Sequence, residues 1–368
     1  MLLKEMKYSY NDIAIVPAPI STVEHRSDCN PYLNDGMLPI FTAPMSSVVN
    51  ETNFKLFEKN KINAILPRSI QLQTRVNYAS KGKWAAFSLH EAEQFFSKKT
   101  NTNETPKVLI DVANGHMQKL YEIVRKIKNN WGEKNIQIMI GNIANPLTYK
   151  EVVDCGADYV RCSIGSGMGC ITSSNVSINY PTASLIQETY LIKKQIAEKN
   201  GVSMETLPKI IADGGIRNYS DVIKALALGA NYVMIGGLFC SLIESAGKTY
   251  FNDMEILPLT KHTVIERNGT FTIKDNETQG LYAASNLTKK FYGMASKQGQ
   301  IDMYGQKTKT AEGISKTINV TTNLSKWVDN MVSYLQSAMS YTNIYRVGDF
   351  ENVTTIVMST NSYVSINK

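Results

Sequence analysis

The sequence lacks most of what marks an extracellular or membrane protein. Its five cysteines in 368 residues, at positions 29, 155, 162, 170 and 240, are sparse and odd in number. None of them shows Cys-x-x-Cys spacing, so neither a zinc site nor a disulfide framework is indicated. No apolar run reaches the ~18 residues that cross a bilayer. The opening stretch, MLLKEMKYSYND, holds no apolar run of signal-peptide length. The cytoplasm is therefore the expected compartment, with no membrane as partner. Lys and Arg outnumber Asp and Glu by 39 to 32. Basic residues never run five together, so nucleic acid is not an expected partner either. A modest positive excess suits small anionic substrates. Repeats beyond a strand–helix period and low-complexity tracts are both absent.

What is present is an alternation of short apolar runs with helical patterns. The runs are LPIFTAP (38–44), INAILP (62–67), WAAFSL (84–89), VLIDVA (108–113), IQIMIGN (136–142), DYVRCSI (158–164), KIIADGG (209–215) and NYVMIGG (231–237). Near-continuous apolar strands between helices indicate a parallel sheet buried on both faces. Helical patterns such as HMQKLYEIVRKIKNN (116–130) and YSDVIKALALG (219–229) supply the outer layer, the second with Ser220 as its expected cap and Gly229 as its stop. Eight strands predict a closed (β/α)8 TIM barrel, one catalytic domain over 1–368, with an open doubly wound sheet as the alternative. Polar residues gather after the strands, which places Asp111, Asn142, Cys170, Asp213 and Gly236 at one mouth.

Two segments break the rhythm. Residues 249–289 read as an insertion with a β-hairpin turning at Asn268-Gly269. Residues 294–317, rich in Lys, Gln, Thr and Gly, read as an irregular active-site flap. The tail adds a helix (WVDNMVSYLQSAM) and a last strand (NVTTIVMS).

The chemistry concentrates in Gly165-Ser166-Gly167-Met168-Gly169-Cys170-Ile171-Thr172, directly after the sixth strand. Three glycines in five residues allow a tight turn and close ligand approach. A cysteine there is exposed and can act as a nucleophile, with Thr172 as a hydroxyl relay. Alone, the segment also reads as a flexible turn with an incidental thiol. Asp213-Gly214-Gly215 and Gly236-Gly237 follow the seventh and eighth strands, where barrels commonly build a phosphate site from backbone N–H groups. Asp213 could hold the two hydroxyls of a ribose, or merely cap the following turn.

Together these stretches resemble the inosine-5′-monophosphate dehydrogenase and guanosine-5′-monophosphate reductase family. YSYNDIAIVP (8–17), FTAPMSSV (41–48), DVANGH (111–116), IGN (140–142), GADYVRCSIGSGMGCIT (156–172), ADGGIRNYSDVIKALALGANYVMIGGLF (212–239), FYGMAS (291–296) and AEG (311–313) carry the resemblance. It implies a covalent adduct between Cys170 and C2 of a purine nucleoside monophosphate, with Thr172 and Glu312 managing protons. Asp213, Gly214, Gly215, Gly236 and Gly237 would bind the ribose and phosphate. Gly293, Met294 and Ala295 would line the base. Asp111, Ala113, Asn114 and Gly165 would meet a nicotinamide cofactor, with Arg26 and Ser27 reaching the cofactor of a neighbouring subunit in a homotetramer. Carbonyls of Gly165, Gly167 and Cys170 would face a potassium-like ion.

The family runs two reactions on this chemistry. The dehydrogenase oxidises IMP with NAD and hydrolyses the adduct using an Arg-Tyr pair on its flap. The reductase expels ammonia from GMP and takes hydride from NADPH. No Arg-Tyr dipeptide occurs in 294–320, the span from Met294 to Glu312 is short, FYGM and Gly237 match reductases, and no regulatory tandem domain interrupts the barrel. The expected activity is therefore NADPH-dependent GMP reduction. Arg161 resembles some dehydrogenases instead, which keeps an IMP dehydrogenase without regulatory domains as the alternative. A flavin-dependent barrel and a non-catalytic purine nucleotide sensor are further alternatives. Departures from the family pattern are Met168 in place of a phosphate-binding Ser, Gly169 in place of an apolar residue, which should loosen the loop, and Ser173 in place of Arg. His116 is as readily a spectator as a cofactor contact, and Cys155 and Cys162 read as core residues.

Overall fold

In the computed structural model, residues 5–133, 135–256, 262–267, 270–306 and 310–358 are described. Eight parallel strands form one sheet: β1 (Ile40–Thr42), β2 (Ile65–Leu66), β3 (Trp84–Phe87), β4 (Lys107–Asp111), β5 (Gln137–Ile143), β6 (Tyr159–Cys162), β7 (Lys209–Asp213) and β8 (Tyr232–Ile235). From β2 to β8 each strand pairs with the next, β8 pairs with β1, and a single parallel bridge from Phe41 to Asn63 links β1 to the residues just before β2. The sheet thus closes as a (β/α)8 barrel. Helices α1 (Phe54–Lys59), α2 (Leu72–Ser80), α3 (Leu89–Phe96), α4 (Gln118–Trp131), α5 (Tyr149–Asp154), α6 (Thr182–Asn200), α7 (Tyr219–Ala227) and α8 (Leu324–Tyr341) follow the strands in turn.

The continuous apolar strands have two buried faces because alternate side chains point into the lumen and out to the helices. Phe41, Ile65, Trp84, Leu109, Met139, Ile211 and Met234 fill the lumen together with Tyr159 and Tyr232. Their neighbours Ile40, Val108, Ile138, Val160, Ile210 and Val233 pack outward on the helices. Continuing the inward series by two residues reaches Asp111, Gly141, Arg161 and Asp213. The lumen therefore ends in a polar layer at its C-terminal mouth.

Helix α7 is capped by Asn218, whose Oδ1 accepts from the Asp221 N–H at 2.9 Å, and not by Ser220, which lies within the helix. Gly229 follows its end with φ +97°.

The chain between β8 and α8 is one long βα connection. It carries β9 (Thr249–Phe251), β10 (Met254–Ile256), β11 (His262–Arg267), β12 (Thr270–Asp275), β13 (Leu281–Ala283), β14 (Leu287–Tyr292) and β15 (Ser315–Asn319). β11 and β12 form the expected hairpin, with Arg267 opposite Thr270; its Asn268-Gly269 turn lies outside the described residues. The stretch 294–317, irregular by composition, carries helix Lys297–Tyr304 and most of β15. Ser296 caps that helix by accepting from the Gly299 N–H at 3.0 Å. The last strand, Thr355–Val357, pairs with Ile13–Ile15. Among the described residues, no helix is long and apolar enough to cross a membrane.

Candidate active site

The loop after β6 presents Cys170 at the mouth, half-buried. The other four cysteines are buried, and burial pushes their thiols up, Cys155 to about 11 and Cys240 to about 12. Cys155 and Cys162 are core residues, as expected. The Cys170 thiol donates to Thr172 Oγ1 at 3.3 Å, and the Thr172 hydroxyl donates to Glu312 Oε2 at 3.1 Å. Thiol, hydroxyl and carboxylate form a chain along which a proton can move.

Backbone pairing delivers Glu312. Residues 312–314 lie between the cysteine loop and residues 295–296: Ile171 N–H donates to the Glu312 carbonyl at 3.0 Å and Ile314 N–H to the Gly169 carbonyl at 2.9 Å. On the other side, Glu312 N–H donates to the Ala295 carbonyl at 3.0 Å. Ala295, and through it the Gly293-Met294 segment, is thereby joined to the cysteine loop. Gly169 does not loosen that loop: its carbonyl is bonded, and a Cβ there would stand 2.8 Å from Cε1 of Phe291. The missing side chain is the space taken by the Phe291 ring.

The polar layer is the second part of the site. Arg161 is buried, at 7% exposure. Its Nη1 donates to Asp111 Oδ1 at 2.5 Å, and its Nε and Nη2 donate to Asp213 Oδ2 at 3.0 and 2.8 Å. Burial opposes the guanidinium charge, but Asp213 and Asp111 outweigh it and raise its pKa above the usual arginine range. Asn142 Nδ2 also donates to Asp213 Oδ2, at 2.6 Å. The three bonds to Asp213 all fall on Oδ2, which leaves Oδ1 as its acceptor for a ligand. Gly141 completes the layer by having no side chain: a Cβ there would come within 2.5 Å of the Arg161 Cβ.

Gly214 and Gly215 adopt φ values of +101° and +76°. A Cβ at Gly214 would meet Ser166 Oγ at 2.7 Å, so the cysteine loop rests directly on the turn after β7. Gly236 and Gly237 open a single helical turn after β8. Gly165 and Gly167 carbonyls accept from Ser173 Oγ and Cys170 N–H, each at 3.0 Å. Each keeps a second lone pair for a cation. Among the described residues, no group of three or more His, Cys, Asp or Glu could hold a metal ion.

Ala113 and Asn114 are exposed at the rim beyond Asp111. His116 is occupied: Ala144 N–H donates to its Nε2 at 3.1 Å, so Nδ1 carries the proton and donates to Thr148 Oγ1 at 3.0 Å. Burial lowers its pKa. Arg26 and Ser27 are not brought to the mouth of their own barrel; they are exposed on turn Arg26–Asp28, which packs on α8. Sequence reasoning missed Arg68, whose Nη2 donates to the Tyr304 hydroxyl at 3.2 Å and Nη1 to the Asp111 carbonyl at 3.4 Å. A cavity of about 240 Å³ opens beside it, lined by Ser69, Gln71, Arg75 and Met303 among others. It also missed that Arg161 binds both acidic residues. Counting by twos from Tyr159 would have placed it in the lumen.

Residues 84–257 match the family described as the IMP dehydrogenase / GMP reductase domain. A GMP reductase of Lysinibacillus sphaericus (strain C3-41) is 31% identical over 66% of this chain and 73% of that protein. The chain belongs to the IMP dehydrogenase / GMP reductase family. Similarity at lower identity spans almost the whole length. A GMP reductase of Shouchella clausii (strain KSM-K16) is 26% identical over 97% of both chains, and one of Bacillus licheniformis is 26% identical over 96% of this chain and 97% of its own.

Proposed function

We propose that this protein is a GMP reductase, converting GMP, NADPH and a proton to IMP, NADP and ammonia through a covalent adduct on Cys170. The observation that carries the reading is the Cys170–Thr172–Glu312 chain of 3.3 and 3.1 Å contacts. The thiol proton passes through Thr172 to Glu312 as Sγ bonds to C2 of the purine. The same route returns the proton to the departing amino group, which leaves as ammonia. NADPH, when bound, supplies the hydride that replaces sulfur at C2. Cys170 is then released as thiolate and regains a proton from solvent. Glu312 is pinned between two backbone partners, which suits a site that keeps water from the adduct.

Asp213 Oδ1 would accept from a ribose hydroxyl while Arg161 and Asn142 hold Oδ2. The amides of Gly214, Gly215, Gly236 and Gly237 face the phosphate in this reading, and Gly293, Met294 and Ala295 flank the base. Asp111, Ala113, Asn114 and Gly165 border the nicotinamide side, where the cavity beside Arg68 offers room for more of the cofactor. Gly165, Gly167 and Cys170 supply the carbonyls for a potassium-like ion. Arg26 and Ser27, exposed and away from their own mouth, would serve a neighbour in a cytoplasmic homotetramer. Arg161 favours the second reading, an IMP dehydrogenase without regulatory domains.

The test is to incubate the purified protein with NADPH and each purine monophosphate and to follow the reduced cofactor by absorbance. Oxidation with GMP, with ammonia released, is expected. Steady xanthosine monophosphate from IMP and NAD would overturn the reductase in favour of the dehydrogenase.

A further inference from the structure

The turn after β4 is fastened to the end of β5 by a short ladder. Val112 N–H donates to the Gly141 carbonyl at 3.0 Å, Asn142 N–H to the Val112 carbonyl at 2.9 Å, and Gly115 N–H to the Asn142 carbonyl at 2.8 Å. The approach is close, since a Cβ on Gly115 would stand 2.6 Å from that last oxygen. Beyond Gly115 the rungs change in kind. The next one is a side chain: His116 accepts the Ala144 N–H at Nε2, and its Nδ1 donates to Thr148 Oγ1. The backbone N–H of the same residue donates to Asn114 Oδ1 at 3.0 Å. One residue therefore fixes both the Asn114 side chain and the spacing between the two loops.

Resting on the reductase reading above, we propose that His116 is a positioning residue for the nicotinamide cofactor: its neutral imidazole clasps the turn of Ala113 and Asn114 to Ala144 and Thr148. The turn then meets the cofactor already in place, which removes an ordering cost from binding. An imidazolium carries a proton on both nitrogens and accepts nothing. Protonation sets N–H against N–H at Ala144 and opens the clasp. His116 is exposed on one side, so solvent protons reach it, while desolvation of the rest of the ring lowers its pKa and keeps the clasp closed at neutral pH. The charged groups on the elements around it are engaged with one another. Asp111 pairs with Arg161, Lys119 with Glu122 of α4 at 3.8 Å, and Arg125 of α4 with Glu151 of α5 at 4.0 Å. Lys150 of α5 is exposed. The hydroxyls of Tyr121 and Tyr149 donate to the carbonyls of Gly115 and Pro208 at 2.5 and 2.7 Å.

The experiment reads two quantities on the full chain at pH 7.5 and 5.0. One is binding of NADP, the acid-stable form of the cofactor, by titration calorimetry. The other is hydrogen-exchange protection of the Ala144 amide without ligand, corrected for the intrinsic effect of pH. Wild type is compared with His116→Gln, whose Oε1 replaces Nε2 as acceptor but does not titrate, and with His116→Leu. Between the two pH values wild type should lose about three- to tenfold in NADP affinity beyond any change in His116→Gln, with Ala144 protection falling in step. The comparison cancels titration of the cofactor's own phosphate. At pH 7.5 His116→Gln should bind NADP as wild type does, and His116→Leu should have lost affinity and protection at both pH values. Equal pH dependence in wild type and His116→Gln, undiminished Ala144 protection in His116→Leu, or no NADP binding by wild type at pH 7.5 would overturn the proposal. Binding that follows the expected pattern without GMP-dependent oxidation of NADPH sinks the reductase reading and leaves the clasp standing.

Discussion

Thr172 Oγ1 lies 3.1 Å from Glu312 Oε2, although 140 positions separate the two residues in sequence. The contact exists because residues 312–314 are hydrogen-bonded to the cysteine loop. It fixes the direction of the relay: the hydroxyl donates to the carboxylate, so its oxygen is free to accept from the thiol. Removing the hydroxyl in Thr172→Val should lower kcat by roughly 10²–10⁴, the usual range for lost general acid–base help. Glu312→Gln should slow ammonia release far more than it weakens GMP binding. Equal losses in kcat and in GMP affinity would place both residues in binding instead.

Cys170→Ala should abolish turnover and leave nucleotide affinity within about tenfold, since the proposed ribose and phosphate contacts do not involve its sulfur. Rapid-quench denaturation of the wild-type enzyme with labelled GMP should trap label on the protein, and the variant should trap none. Appreciable turnover by the variant would end the covalent mechanism.

Arg161 neutralises two partly buried carboxylates, so Arg161→Leu leaves both without a counter-charge. A loss of about 3–5 kcal/mol in unfolding free energy is expected from urea denaturation. Gly141→Ala attacks the same layer differently. At φ +156° its new Cβ would meet the Arg161 Cβ at 2.5 Å and the Arg161 carbonyl oxygen at 2.9 Å. The combined strain and overpacking should cost about 2–4 kcal/mol. Wild-type stability in either variant would remove the polar layer from the account of the fold.

Acid sensitivity should have one traceable source in the barrel wall. Burial pushes the Glu91 carboxyl up, but Arg75, at 2.9 and 3.1 Å, and the Ser88 N–H, at 2.7 Å, override burial and hold it at about 2. A carboxyl depressed from about 4.5 stabilises the fold above the unfolded value, and this stability is lost as pH falls toward 2. The contribution is roughly 2–3 kcal/mol at neutral pH, allowing for partial exposure. Glu91→Gln should be less stable than wild type at pH 7, with the gap closing progressively as pH falls from 5 to 2. A gap independent of pH would assign the effect to packing.

Much of the molecule was determined by sequence alone. Eight apolar runs ending in polar or glycine residues require strands buried on both faces, and the glycine loop by itself marks Cys170. Those signals are local: periodicity, turn chemistry and residue type lie within a dozen positions. Other features depend on what distant segments do to one another. Ser220 and Asn218 are both able caps, and the backbone at the entry to α7 chose Asn218. Gly169 reads as looseness until Phe291, more than a hundred positions away, is seen occupying its missing side chain. Arg161 is an ordinary residue in its own strand. Barrel closure places it between Asp111 and Asp213, where two carboxylates make its buried charge tolerable.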